Sequence, residues 1–272
     1  SNFQMYGPKL SFWSYLIYTE NANLNVLHCQ MENIIFNDYF IYSKGESYQS
    51  TLSFCDIKNC TERVGYDGIL YYSECKQTTV SNNTFYFSSK DMCNGLFYFY
   101  YQTNCKILGN KFENAQSNKH ICIEFFNYND GSTPTQIEDC VFTNIKGNNP
   151  SLLKMPGIKF DLTLRNITVE NCYNSYIDDD DRPSGYFFSI TSSLSDSKLN
   201  IKDCKFSDLT SNAEGGGGIG LWFKSYNEHQ ILNIVNSIFE NVIHTQTSYG
   251  GGALIFNKGT DRQKLTNYKT DL

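Results

Sequence analysis

Hydrophobic and polar positions along this chain follow a repeating frame. An aliphatic residue is followed after two positions by Cys, Asn or Ser. One residue later comes a large apolar side chain, and one further on usually Asn or Asp. The frame appears as Ile201-Lys-Asp-Cys204-Lys-Phe206-Ser-Asp208, Ile234-Val-Asn-Ser237-Ile-Phe239-Glu-Asn241 and Ile137-Glu-Asp-Cys140-Val-Phe142-Thr-Asn144. Earlier copies are Val26-Leu-His-Cys29-Gln-Met31-Glu-Asn33 and Leu52-Ser-Phe-Cys55-Asp-Ile57-Lys-Asn59. Two copies carry Asn in place of Cys, at Asn83 and Asn110, and the weakest reads Val169-Glu-Asn-Cys172-Tyr-Asn174. The Cys/Asn/Ser position therefore falls at 29, 55, 83, 110, 140, 172, 204 and 237, in steps of 26 to 33 residues. Repetition at so steady a spacing marks a stacked architecture.

Alternation with period two, as in Cys-x-Phe, predicts strands on both sides of the Cys/Asn/Ser position. The residue just before that position is mostly Asn, Asp or Gly. These residues tolerate left-handed dihedrals, so a sharp bend is predicted there. A third strand follows a loop of variable length, usually behind Gly, as in Gly68-Ile-Leu-Tyr-Tyr72, Gly95-Leu-Phe-Tyr-Phe-Tyr100 and Gly218-Ile-Gly-Leu-Trp-Phe223. Three short strands per repeat predict an all-β, right-handed parallel β-helix of about eight to nine coils, a single domain over 1–272. At the strand spacing of about 4.8 Å, eight coils make a rod roughly 38 Å long. The large apolar residues form one core column and the Cys/Asn/Ser residues another.

Composition narrows the function. The chain has 22 Lys+Arg against 28 Asp+Glu, a net charge of −6, and so no basic stripe for nucleic acid. No run of about 18 apolar residues marks a membrane span. The opening Ser1-Asn2-Phe3 lacks a signal peptide, as in a processed secretory protein or an internal fragment. The polar tail from Asn257 to Leu272 reads as an unfinished coil, and no capping helix is evident near the start. A piece of a longer chain, or a subunit stacking end to end, is the expectation.

Of the 10 cysteines, Cys29, Cys55, Cys140, Cys172 and Cys204 fall in the repeat column, where small buried residues are expected to pack as a ladder. Among those off the column, Cys75 and Cys105 are the disulfide candidates, because both follow a Gly-led strand. Asn59-Cys-Thr61, Asn82-Asn-Thr84 and Asn166-Ile-Thr168 are glycosylation sequons. Cysteines without catalytic or metal spacing fit an extracellular or cell-surface location. Asp178, Asp179, Asp180 and Asp181 are weak Ca²⁺ candidates, because they lack the spaced ligands and closing Glu that wrap an ion. Apart from these, no metal or cofactor is called for.

β-Helix hydrolases place two carboxylates across a sugar ring. No such pair is evident here, and Arg165 and Arg182 stand outside any lyase-like motif. The runs Gly215-Gly-Gly-Gly218 and Gly250-Gly-Gly252 carry no Lys-Ser/Thr and precede no helix. Tight turning into a strand explains them better than phosphate binding.

Gly251-Gly252-Ala253-Leu254 and Gly217-Gly218-Ile219, together with Phe112-Glu-Asn114, Phe142-Thr-Asn144 and Phe239-Glu-Asn241, resemble the polymorphic membrane protein repeats. These occur in chlamydial surface adhesins and in surface protein families of some protists. The resemblance implies a pectin-lyase-like right-handed β-helix at the cell surface, used for adhesion or assembly, and supplies no catalytic residue.

Adjacent aromatics in the third strands must put one ring of each pair outward. Tyr72, Phe99, Trp222 and Phe256 are the candidates for an outward ribbon. Loops, a neighbouring subunit or sugar rings are the alternatives for what covers it, since a large bare apolar patch does not suit a soluble monomer. The expected function is a non-enzymatic extracellular structural or adhesive module, a rigid rod in a surface protein, appendage or filament. Its partners are then like subunits or surface glycans. A carbohydrate-active β-helix enzyme and a viral fibre are the competing readings.

Overall fold

The structure, a computed structural model, describes residues 4–12, 15–36, 39–62, 69–87, 97–100, 104–117, 123–126, 134–147, 152–157, 161–174, 188–192, 197–211, 221–225, 231–245 and 254–258. These residues form strands and turns, with no helix among them. The strands pair in parallel and stack as a β-solenoid of three sheets.

The first sheet holds the strands that precede the predicted bend. Its eight strands are Leu24–Leu27, Gln49–Ser53, Gln77–Ser81, Cys105–Leu108, Pro134–Glu138, Asp161–Arg165, Lys198–Lys202 and Ile231–Val235. The second, twelve-stranded sheet holds the strands after the bend, among them Gln30–Phe36, Thr84–Tyr86, Lys111–Glu113, Val141–Thr143, Lys205–Ser211 and Ile238–His244. Gln4–Phe12 pairs onto its first edge. The third sheet contains Ile17–Glu20, Ile41–Lys44, Leu70–Ser73, Phe97–Tyr100, Ile123–Phe126, Leu153–Gly157, Phe188–Ser192, Leu221–Ser225 and Leu254–Lys258.

The predicted core column lines up. Met31, Ile57, Phe85, Phe112, Phe142, Val169, Phe206 and Phe239 are successive partners across the second sheet. The rings of Phe112 and Phe142 stack at 4.7 Å, and those of Phe206 and Phe239 at 4.8 Å. Each such side chain removed from water stabilises the fold by about 1.5–3 kcal/mol, and the stack fixes the register between turns.

Backbone conformation explains the polar half of the frame. His28, Phe54, Asn82, Gly109, Asp139, Asp203 and Asn236 all have φ between 49° and 62°, so the predicted left-handed bend is present in these repeats, and in the sixth it falls at Asn166, with φ 51°. The Asn or Asp after the large apolar residue makes a second corner of the same kind. Asn33, Asn59, Asn114, Asn144, Asn171, Asp208 and Asn241 have φ of 51–58°. Side-chain amides reinforce these corners from turn to turn. Asn166 Nδ2 donates to Asp139 Oδ1 at 2.8 Å, and Asn241 Nδ2 donates to Asp208 Oδ1 at 3.0 Å.

The Cys/Asn/Ser slot is buried at Cys29, Cys55, Asn83, Asn110, Cys140 and Cys204, as expected of a small-residue ladder, and it is also a hydrogen-bonding position. Cys140 Sγ donates to Glu138 O, and Cys204 Sγ to Lys202 O, each at 3.2 Å. Ser237 Oγ does the same to Val235 O at 3.0 Å. The slot also accepts: Cys55 N–H donates to Asn83 Oδ1 at 2.9 Å, and Asn83 N–H to Asn110 Oδ1 at 3.1 Å. Cys, Ser and Asn are interchangeable there because each can donate to the corner carbonyl and accept from the neighbouring turn.

One repeat is framed differently from its expected centre. Thr168 N–H donates to Cys140 O, and Lys205 N–H donates to Ile167 O. Ile167, not Cys172, therefore occupies the slot, in the frame Leu164-Arg-Asn166-Ile167-Thr-Val169-Glu-Asn171. Cys172 lies one column on, beside Leu209, in the series Ala115, Ile145, Cys172, Leu209, Val242. The shift arises because the Asn171 corner aligns with Asn144.

Candidate functional site

Strand alternation divides the third sheet into an inward and an outward set. The inward set includes Ile17, Ile41, Leu70, Phe97 and Ile123, which are in register, together with Tyr72, Phe99 and Phe125. The outward column runs Tyr18, Tyr42, Tyr71, Tyr98, Glu124 and Lys154.

This parity corrects two expected interface residues. Tyr72 and Phe99 are fully buried in the core. Their rings lie 5.9 Å apart, and Phe99 stacks on Phe125 at 4.9 Å. In Leu70-Tyr71-Tyr72-Ser73, Leu70 takes an inward slot, so period two sends Tyr71 out and Tyr72 in. Trp222 shares the register of the outward column and Phe256 that of Phe223. Their side chains lie outside the described residues.

The outward ribbon is built from tyrosines instead. Tyr18 and Tyr42 stack with centroids 5.1 Å apart and planes within 9°. Tyr42 and Tyr71 stack at 5.0 Å and 6°. Tyr100, two residues along its strand from Tyr98, which is in register with Tyr71, lies 6.5 Å from Tyr71 at 22°. Parallel rings in contact have planes about 3.5–4 Å apart, so the Tyr18–Tyr42 and Tyr42–Tyr71 pairs are slipped sideways by roughly 3–3.7 Å, and Tyr100 by more. A second file, Tyr15 and Tyr39, is parallel to itself within 1° at 6.5 Å. It is inclined to the first file, Tyr15 to Tyr18 by 40° and Tyr39 to Tyr71 by 42°. The sequence signal for it is Tyr-x-x-Tyr in two successive repeats, Tyr15/Tyr18 and Tyr39/Tyr42, 24 residues apart.

Polar groups edge this aromatic face. Tyr18 Oη donates to Glu20 Oε2 at 2.9 Å, and that bond raises the phenol pKa. Tyr71 is pushed up to about 12, chiefly by burial and then by the neighbouring Tyr42. Both rings are neutral at physiological pH. Lys44 and Glu74 lie 3.8 Å apart beside the run. Tyr18, the last ring at this end, is 53% exposed. Further along, the outward column changes character, and Lys154 Nζ meets the buried Glu124 Oε1 at 2.8 Å. Burial raises the Glu124 pKa, and Lys154 opposes that shift.

Beneath the first tyrosines runs a buried polar seam. Thr19 Oγ1 donates to Ser43 Oγ at 3.0 Å, Ser43 and Ser50 hydroxyls are 2.6 Å apart, and Ser50 Oγ lies 3.5 Å from Cys75 Sγ. The expected Cys75–Cys105 disulfide is not formed, and Cys105 is a free thiol. Cys75 sits at a corner, with its sulfur donating to Ser43 O and Ser73 O. Cys105 lies a turn away in the Ser50–Thr78–Cys105–Thr135 column. Burial, and then Cys75, push the Cys105 thiol well above its ordinary pKa.

The three sequon asparagines all occupy left-handed corners. Asn59 and Asn166 spend their amides on Asn33 and Asp139, and Asn82 is exposed. Asp178, Asp179, Asp180 and Asp181 lie outside the described residues. Among the described residues, no group of three His, Cys, Asp or Glu side chains is placed to hold a metal, and no helix is long and apolar enough to cross a membrane. No family model, no curated protein and no solved structure matches the chain.

Proposed function

We propose that the chain is an extracellular structural and adhesive module, a right-handed parallel β-helix of eight to nine coils acting as a rigid rod in a surface protein, appendage or filament. The observation that carries this reading is the outward tyrosine ladder. Six tyrosines gather over four neighbouring strands of one sheet, Tyr15, Tyr18, Tyr39, Tyr42, Tyr71 and Tyr100, around the buried Tyr98. Tyrosine combines a large apolar body with a polar tip at low entropic cost, which is why it is enriched at binding surfaces. The solenoid presents the rings on paired strands, so little ordering entropy remains to be lost on contact. The resemblance to polymorphic membrane protein repeats points the same way.

The test is adhesion under flow. Beads coated with the protein should be retained on cell layers. Beads coated with the triple variant Tyr18→Ser, Tyr42→Ser, Tyr71→Ser, checked for native circular dichroism, should be released. Equal retention of the two overturns the adhesive role.

A further inference from the structure

One corner column of the solenoid carries a side chain that its backbone disfavours. The column reads His28, Phe54, Asn82, Gly109, Asp139, Asn166, Asp203 and Asn236, all left-handed. Asn, Asp and Gly take that conformation readily, whereas a phenylalanine there is strained. Phe54 holds φ at 56° and leaves its ring 53% exposed, outside the core. Neither the corner nor the core therefore accounts for it, and strain kept at a surface ring points to a contact that the ring makes. His28, one turn before, stacks on Phe54 with centroids 5.1 Å apart and planes within 11°. That covers one face, and among the described residues no other ring touches Phe54. Its second face is turned along the column to the next corner, Asn82, since Phe54 N–H donates to Ser81 O.

Asn82 opens the sequon Asn82-Asn-Thr84. Its side chain is exposed and makes no hydrogen bond among the described residues. A Cβ on Gly109 would lie 2.5 Å from Asn82 Oδ1. The bare glycine therefore makes room for that oxygen, and Nδ2, the atom a sugar is attached to, points away from Gly109. The other sequon asparagines are tied down: Asn59 Nδ2 donates to Asn33 Oδ1 at 3.4 Å, and Asn166 Nδ2 to Asp139 Oδ1 at 2.8 Å. From the extracellular reading above, and resting on it, we infer that Asn82 is an N-glycosylation site whose first sugar, an N-acetylhexosamine, packs on the second face of Phe54. Pyranose rings have flat C–H faces that suit an aromatic ring, and the two corners are one turn, about 4.8 Å, apart. The bond is made on the emerging chain, before the corners form. Asn82 Nδ2 attacks the anomeric carbon of a lipid-linked oligosaccharide diphosphate. The C–N bond forms, the anomeric C–O bond breaks, the lipid diphosphate leaves, and one amide proton passes to a base of the transferase. Folding then brings ring and sugar together.

The experiment secretes the full chain from cells that make N-glycans, as wild type and as Phe54→Asn. Glycosylated peptides are mapped by mass spectrometry, and thermal melts are compared before and after peptide-N-glycosidase. That enzyme leaves an aspartate at position 82, a residue type the same column already holds at Asp139 and Asp203. Asn82 should be occupied in most molecules. Removing the glycan should lower the wild-type melting temperature by roughly 2–4 °C and leave that of Phe54→Asn nearly unchanged. Phe54→Asn relieves the corner, so the variant should fold at least as well as wild type without its glycan. A bare Asn82 on the secreted, folded chain overturns the inference, as does a glycan-dependent shift that persists in Phe54→Asn. Surface labelling of the cells that make the protein reads its location separately. Labelled protein with a bare Asn82 ends this inference and keeps the extracellular reading, whereas protein that no surface reagent reaches removes both.

Discussion

The turns before about residue 140 and those after it share one backbone plan and differ in what they put on it. In the earlier turns, one inward column of the first sheet reads Ser50, Thr78, Cys105, Thr135, and the outward column of the third sheet is tyrosine. In the later turns the same inward column reads Leu162, Leu199, Leu232, and the outward one, which leaves tyrosine at Glu124, continues with Lys154. Left-handed corners and the stacked phenylalanine column continue through both. Coil stacking therefore depends on corners and core rings, and the remaining positions are free to specialise. The earlier turns spend that freedom on a hydroxyl seam inside and an aromatic face outside.

Exchanging the interiors should break the comparison most sharply. Leu199→Ser puts a small hydroxyl into a column packed by leucines. It should cost about 3–5 kcal/mol in urea unfolding, from the cavity and the unpaired hydroxyl. The reciprocal Thr78→Val should cost only about 1 kcal/mol. Equal costs would mean that the two interiors do not differ in kind.

The outward column offers the next largest effect. Lys154→Met leaves Glu124 buried without its cation and should cost about 2 kcal/mol at neutral pH, discounted because Lys154 is partly exposed. Acidification protonates Glu124, so the variant's deficit should shrink as pH falls. A deficit that stays constant with pH would show that the pair contributes packing and not charge. Within the hydroxyl seam, Ser43→Ala removes two hydrogen bonds and should cost about 1–1.5 kcal/mol; thermal melts would reveal it.

A pH series sharpens the picture across both regions. Burial raises the Cys55 and Cys140 thiols to about 11 and Cys172 to about 12, and Tyr71 also stands near 12. Each of these groups is neutral when protonated. Its stabilising contribution is present below its unfolded pKa, about 8.5 for the thiols and 10 for tyrosine. The contribution is lost as pH rises through the folded value. Stability should therefore fall between about pH 9 and 12, and Tyr71→Phe should remove part of the fall. The smallest expected change is Tyr18→Ala, within about 0.5 kcal/mol because the ring is largely exposed. Its effect should appear in adhesion, not in unfolding.

Much of this architecture could be read from the repeat. Aliphatic-x-x-Cys-x-Phe predicted two strands and a bend because period two and a left-handed corner are local properties. The sixth repeat shows the limit of such reading. Val169-Glu-Asn171-Cys172 fits the frame on residue types, yet pairing across the sheet chose Leu164-Arg-Asn166-Ile167. The aromatic face was legible as a requirement and misplaced in detail. Searching behind glycines led to Tyr72 and Phe99, whereas Tyr15, Tyr18, Tyr39 and Tyr42 precede any Gly-led strand and carry their own spacing.

By itself the sequence determined the kind of object: strands, corners and a column of large side chains, all set by dihedral preference and alternation along a few neighbouring residues. Only the tertiary structure decided which tyrosines meet, because that depends on register between strands 24 to 29 residues apart. A shift of one residue in register sends every side chain of a strand to the opposite face.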